Sequence, residues 1–140
     1  MKKIPALVFV VLVLFFGLAG SCKKGGGGGS TPTPNEANLQ VVLNPPAGSN
    51  QAASLGPNFP LSVTISSAMP PQGVTIAVSA KVDGSSAAPF FTINQSTSGT
   101  TTNFSITNTP AATTALVTVT VTSKTKASNT WTGTYRYSRK

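Results

Sequence analysis

Between Leu39 and Tyr137, apolar and polar residues alternate in seven short segments separated by turn formers. Leu39, Val41 and Leu43 share one face, with Gln40, Val42 and Asn44 on the other. Leu61, Val63 and Ile65 alternate with Ser62, Thr64 and Ser66, and Val74, Ile76, Val78, Ala80 and Val82 form the third run. Phe91 with Ile93, and Phe104 with Ile106, mark two shorter segments. Val117, Val119 and Val121 then alternate with Thr118, Thr120 and Thr122. Lastly Trp131, Gly133, Tyr135 and Tyr137 face away from Thr132, Thr134 and Arg136. Successive side chains of a strand point to opposite faces, so each segment predicts a strand buried on one side. Pro45-Pro46-Ala47-Gly48, Met69-Pro70-Pro71-Gln72-Gly73 and Asp83-Gly84 predict turns between them.

Such strands are half-buried antiparallel ones, and two sheets packed face to face cover both apolar sides. The expected fold is all-β: one antiparallel sandwich of about seven strands over residues 38–140. Strand number and spacing resemble an immunoglobulin-like or fibronectin-type-III-like sandwich. The buried disulfide of antibody domains is missing, and Trp131 falls in the last strand and not the third. An eight-stranded jelly roll or a small barrel is the architectural alternative. Val63, Ile65, Ile76, Val78, Phe104, Val119, Trp131 and Tyr135 are expected inside.

Residues ahead of the domain read differently. Lys2 and Lys3 precede an uncharged run from Ile4 to Ala19, rich in Val, Leu and Phe. As a helix it would reach roughly 24 Å, short of the ~30 Å hydrocarbon core of a bilayer. Basic start, short apolar run and small-residue exit mark a secretory signal peptide over residues 1–21. Leu18-Ala19-Gly20-Ser21-Cys22 resembles the lipobox of bacterial lipoproteins, although Ala19 stands where Leu is commoner. The resemblance implies diacylglyceryl transfer to the Cys22 thiol, cleavage between Ser21 and Cys22, and acylation of the new amine. It also implies attachment to the bacterial cell envelope, and Lys23 in place of Asp points to the outer membrane of a Gram-negative host. Residues 22–37 hold the lipidated cysteine and a Gly/Thr/Pro-rich spacer, whose residues 23–36 would average roughly 20 Å end to end as a flexible coil. Its glycines lack the strand, the helix and the Lys-Ser/Thr pair of a phosphate loop.

Chemistry is sparse. The chain has no histidine and two acidic residues, Glu36 in the spacer and Asp83 in a predicted turn. This excludes imidazole catalysis, a paired-carboxylate glycosidase and a dedicated calcium cage. Ser123 and Lys126 form a lone Ser-x-x-Lys in a predicted hairpin turn without the partner motifs of the penicillin-binding enzymes. No enzymatic activity, cofactor or metal is expected, and nucleic acid is a poor partner for an exported chain without a readout motif.

Two features remain. Lys124, Lys126, Arg136, Arg139 and Lys140 crowd the last hairpin. They form either a patch for anionic headgroups or glycans, or a solvated edge whose charges block aggregation. Trp131, Tyr135 and Tyr137 form an aromatic stripe, either core or a glycan platform. The expected function is membrane-anchored display of a sandwich that binds or scaffolds a cell-surface protein or glycan, the alternative being a carbohydrate-binding module.

Overall fold

The computed structural model describes residues 35–140. The expected signal peptide, its Ser21–Cys22 cleavage site, the Cys22 attachment point and most of the spacer lie outside them. The described residues are all-β, with seven strands in chain order: β1 Val41–Asn44, β2 Phe59–Ile65, β3 Val74–Val82, β4 Phe91–Thr97, β5 Thr101–Ile106, β6 Thr113–Ser123 and β7 Thr130–Arg139. They form a three-stranded sheet, β1-β2-β5, and a four-stranded sheet, β4-β3-β6-β7. Every pairing is antiparallel. This is a β-sandwich and not an eight-stranded jelly roll. Relative to the constant-type immunoglobulin order, the fourth strand has left the sheet of the first two and pairs with β3.

Alternation explains the core. Leu61, Val63 and Ile65 of β2 face Val74, Ile76, Val78 and Ala80 of β3 and Val117, Val119 and Val121 of β6 in one buried cluster. Phe59 and Tyr137 stack across the two sheets with ring centroids 4.0 Å apart. Of the residues expected inside, all but Trp131 are buried. Trp131 is half-buried and packs on the cluster from its margin. It lies at the start of β7, and its indole folds over Gly133, where a Cβ would strike the ring.

Two turns tie the ends together. Gly73 has φ +76° and would place a Cβ against the Thr97 carbonyl, so the entry to β3 requires glycine. Asn129, 8% exposed, closes the β6–β7 turn. Its Oδ1 accepts from Leu39 N–H at 2.9 Å, and its Nδ2 donates to the Glu36 carboxylate at 2.6 Å and the Ala37 carbonyl at 2.9 Å. Glu36 and Ala37, read as spacer in the sequence, are therefore fastened to the sandwich. Asn129→Ala leaves the buried Leu39 amide unpaired and is expected to cost about 1–3 kcal/mol. The urea unfolding midpoint measures this.

The long connection from β1 to β2 has a structural role that no alternation announces. Residues 48–54 run along the outer edge of β7, parallel to it, with bridges from Asn50 to Arg136 and Ser54 to Arg139. Gly48, Gln51 and Ser54 donate their amides to the carbonyls of Thr134, Arg136 and Ser138. Arg136 and Lys140 donate back to Ser49 and Ser54. This edge of the larger sheet is thereby closed.

Candidate functional site

The basic residues of the last hairpin do not converge. Lys124 and Lys126 sit in the turn between β6 and β7, whereas Arg139 closes the opposite end of that ten-residue strand and Lys140 follows it. The two groups are separated by ~30 Å of extended chain. Arg136 is engaged as well: its Nε meets Asp83 Oδ2 at 2.7 Å. That hydrogen bond, with the attraction between the two charges, holds the Asp83 carboxyl below its ordinary range and raises the Arg136 guanidinium. Arg139 donates through Nη1 to the Thr109 carbonyl. Only the turn pair and Lys140 therefore stand free, which suits solvated ends better than one anion-binding patch.

The aromatic stripe points inward. Tyr135 and Tyr137 are 1% and 2% exposed. The Tyr137 hydroxyl shares a buried hydrogen bond of 2.6 Å with Thr109, and the Tyr135 hydroxyl has no protein partner. Neither ring face is free for a sugar, so Trp131 alone retains an exposed margin. Burial pushes both phenols up, Tyr135 further through the charge Tyr137 would carry, while the Thr109 bond offsets part of the shift at Tyr137. A phenol raised in the folded state contributes stability that is complete below the ordinary value of about 10 and is lost as pH climbs past it. Because these are the two tyrosines of the chain, tyrosinate absorbance is expected to appear only as the fold opens, in step with circular dichroism. Ionisation ahead of unfolding would show the rings to be accessible.

No protein-family model matches the chain, and no curated protein is significantly similar to it.

Two surfaces were not anticipated. A cleft of about 230 Å³ opens between the 45–60 segment and the sandwich, lined by Pro45, Gln51, Phe59, Pro60, Tyr135 and Tyr137. Its floor is aromatic, and its one side-chain amide, Gln51, is turned to Ser49 Oγ at 2.9 Å. The long gap between the first two alternating segments was its only trace in the sequence. The outer face of the larger sheet carries hydroxyls in register: Thr118 beside Thr134, Thr120 beside Thr132, Thr122 beside Thr130. Thr120 and Thr132 approach to 3.3 Å, as do Thr122 and Thr130. Cross-strand pairs of this kind stabilise the sheet by tenths of a kcal/mol.

The remaining candidates are occupied locally. Ser123 Oγ accepts from the amides of Thr125 and Lys126, both at 3.1 Å, so its hydroxyl braces the turn. Among the described residues no group of three His, Cys, Asp or Glu is placed to hold a metal.

Proposed function

We propose that the chain is a bacterial lipoprotein, held in the cell envelope by acyl chains on Cys22, that displays its sandwich as a non-catalytic binding or structural module. The observation that carries this is Leu18-Ala19-Gly20-Ser21-Cys22 directly after an uncharged apolar run and directly before Lys23-Lys24 and five glycines. An export signal, a cut and a lipid attachment point stand there in the order processing requires. Two or more acyl chains anchor stably, where one alone is marginal. Lys23 directs sorting to the outer membrane of a Gram-negative host.

The fold supports display. The described chain enters at Glu36 beside Asn129, at the end of the sandwich that holds residues 66–73, 98–100 and 124–129. Residues 83–90 and 107–112 and the 45–60 cleft lie toward the opposite end. In this reading the loops at the end remote from Glu36 are the ones offered to a partner, whereas Lys124 and Lys126 lie at the entry end of the sandwich. Partners in this reading are membrane lipid through Cys22 and a cell-surface protein or glycan at the loops. Growth with labelled palmitate tests the anchor: the chain takes up label and fractionates with membranes. An unlabelled chain recovered in the soluble fraction overturns the reading.

A further inference from the structure

The two edges of the larger sheet are treated differently. On the β7 side, residues 48–54 occupy the edge amides and carbonyls. On the β4 side nothing among the described residues pairs with the outer edge. Open edges are ordinarily blunted by charge, proline, a bulge or brevity. β4 has seven residues, FTINQST, without charge or proline. The whole stretch of residues 84–123 carries no charged side chain, so β4 itself presents no charge that would repel an incoming strand.

The hydrogen-bonding phase of the edge follows from the register. Asp83 N–H bonds the Thr114 carbonyl and Lys124 N–H the Gly73 carbonyl, so odd-numbered residues of β3 turn their backbone groups to β6. Even-numbered ones, from Val74 to Ala80, therefore turn theirs to β4 and bond Thr97, Gln95, Ile93 and Phe91. The backbone groups of Thr92, Asn94 and Ser96 consequently point out of the sheet. Side chains on the inward side of β4 are also uncovered. Ile93 pairs with buried Val78 yet is 38% exposed, because the four-stranded sheet outreaches the three-stranded one. β5, the neighbouring free edge, differs: its apolar Phe104 and Ile106 are already buried.

We infer that β4 is a strand-pairing edge whose occupant is a second copy of this chain, joined antiparallel about a two-fold axis at Asn94. In that register Asn94 meets Asn94 of the second copy and Thr92 meets Ser96, so all outward backbone groups pair. Ile93 of one copy becomes the diagonal neighbour of Ile93 of the other, within side-chain reach. The two four-stranded sheets become one of eight, an isologous arrangement that closes and stops. Charge selects this occupant. The sandwich is basic overall, but its cations lie on β3, β7 and the β6–β7 turn. Two copies can pair through β4 without bringing any of them together.

The test is sedimentation equilibrium of the full chain in density-matched detergent, with three variants. The parent is expected to show a concentration-dependent monomer–dimer equilibrium. Asn94→Lys places like charges across the axis and is expected to weaken dimerisation up to about fivefold. Asn94→Pro deletes an amide that faces away from β3, which an edge strand tolerates, and is expected to remain folded and monomeric. Should the proline variant lose its circular dichroism, the lysine variant decides alone. Thr120→Lys, on the outer face of β6, is expected to dimerise like the parent. A parent that is monomeric at every concentration overturns the inference. So does a dimer unmoved by a folded Asn94 variant, or one lost equally in Thr120→Lys.

Discussion

Cys22→Ala is expected to leave the chain without fatty-acid label and with its first 21 residues still attached. In the proposed reading the thiol is the nucleophile that accepts the diacylglyceryl group, and cleavage before Cys22 follows that transfer. A methyl group supplies neither chemistry nor recognition, so both steps fail together and the chain accumulates at precursor size. The effect is all-or-none. Each buried methylene of an acyl chain contributes ~0.8 kcal/mol to membrane attachment. Among the described residues no helix is long and apolar enough to cross a membrane. Normal cleavage of the Ala variant would mean that an ordinary signal peptidase acts near Gly20. Cys22→Ser separates the two requirements: it restores a hydroxyl of similar size but not a thiolate, and it is expected to behave as Cys22→Ala does.

Tyr135→Ala is expected to be the most damaging single change within the sandwich. Tyr135 heads the largest fully buried side chains and lies 6.3 Å, centroid to centroid, from Tyr137. Its removal opens a cavity between β6 and β7 and the other sheet. Truncating a buried aromatic costs about 3–5 kcal/mol, a large share of the ~5–15 kcal/mol available to a domain of this size. The phenylalanine variants divide this cost by cause. Tyr135→Phe keeps the ring and removes a hydroxyl that has no protein partner, so its urea midpoint is expected to stay within about 1 kcal/mol of the parent. Tyr137→Phe strands the buried hydroxyl of Thr109, 1% exposed, and is expected to cost about 1–3 kcal/mol. If Tyr135→Phe proved as harmful as Tyr135→Ala, the packing account of that residue would be mistaken.

What sequence reading could recover depended on whether a segment buries side chains. β3 was legible residue for residue because Val74, Ile76, Val78 and Ala80 alternate and are all buried. β4 was legible only at Phe91 and Ile93. It overhangs the opposing sheet, so Asn94 to Thr97 carry no apolar signal although they are paired with β3. Residues 48–54 left only a gap in the alternation, since they join β7 through backbone groups. Trp131 has the parity of a core residue, yet alternation says nothing about how far along a strand the opposing sheet extends. The basic residues do not converge, and the reason is geometric. Neighbours in sequence around a hairpin turn, Lys124 and Lys126, lie a full strand away from Arg139 and Lys140. The tyrosines of the aromatic stripe were legible as core or as platform, and their burial assigns them to the core.

The anchor is read most directly from the mass of the N-terminal peptide of the chain recovered from membranes of its native host. The account predicts a peptide that begins at Cys22, carries thioether-linked diacylglycerol, and is acylated at its amine. A peptide that begins at Met1 or at any residue other than Cys22, with a free thiol, would contradict it.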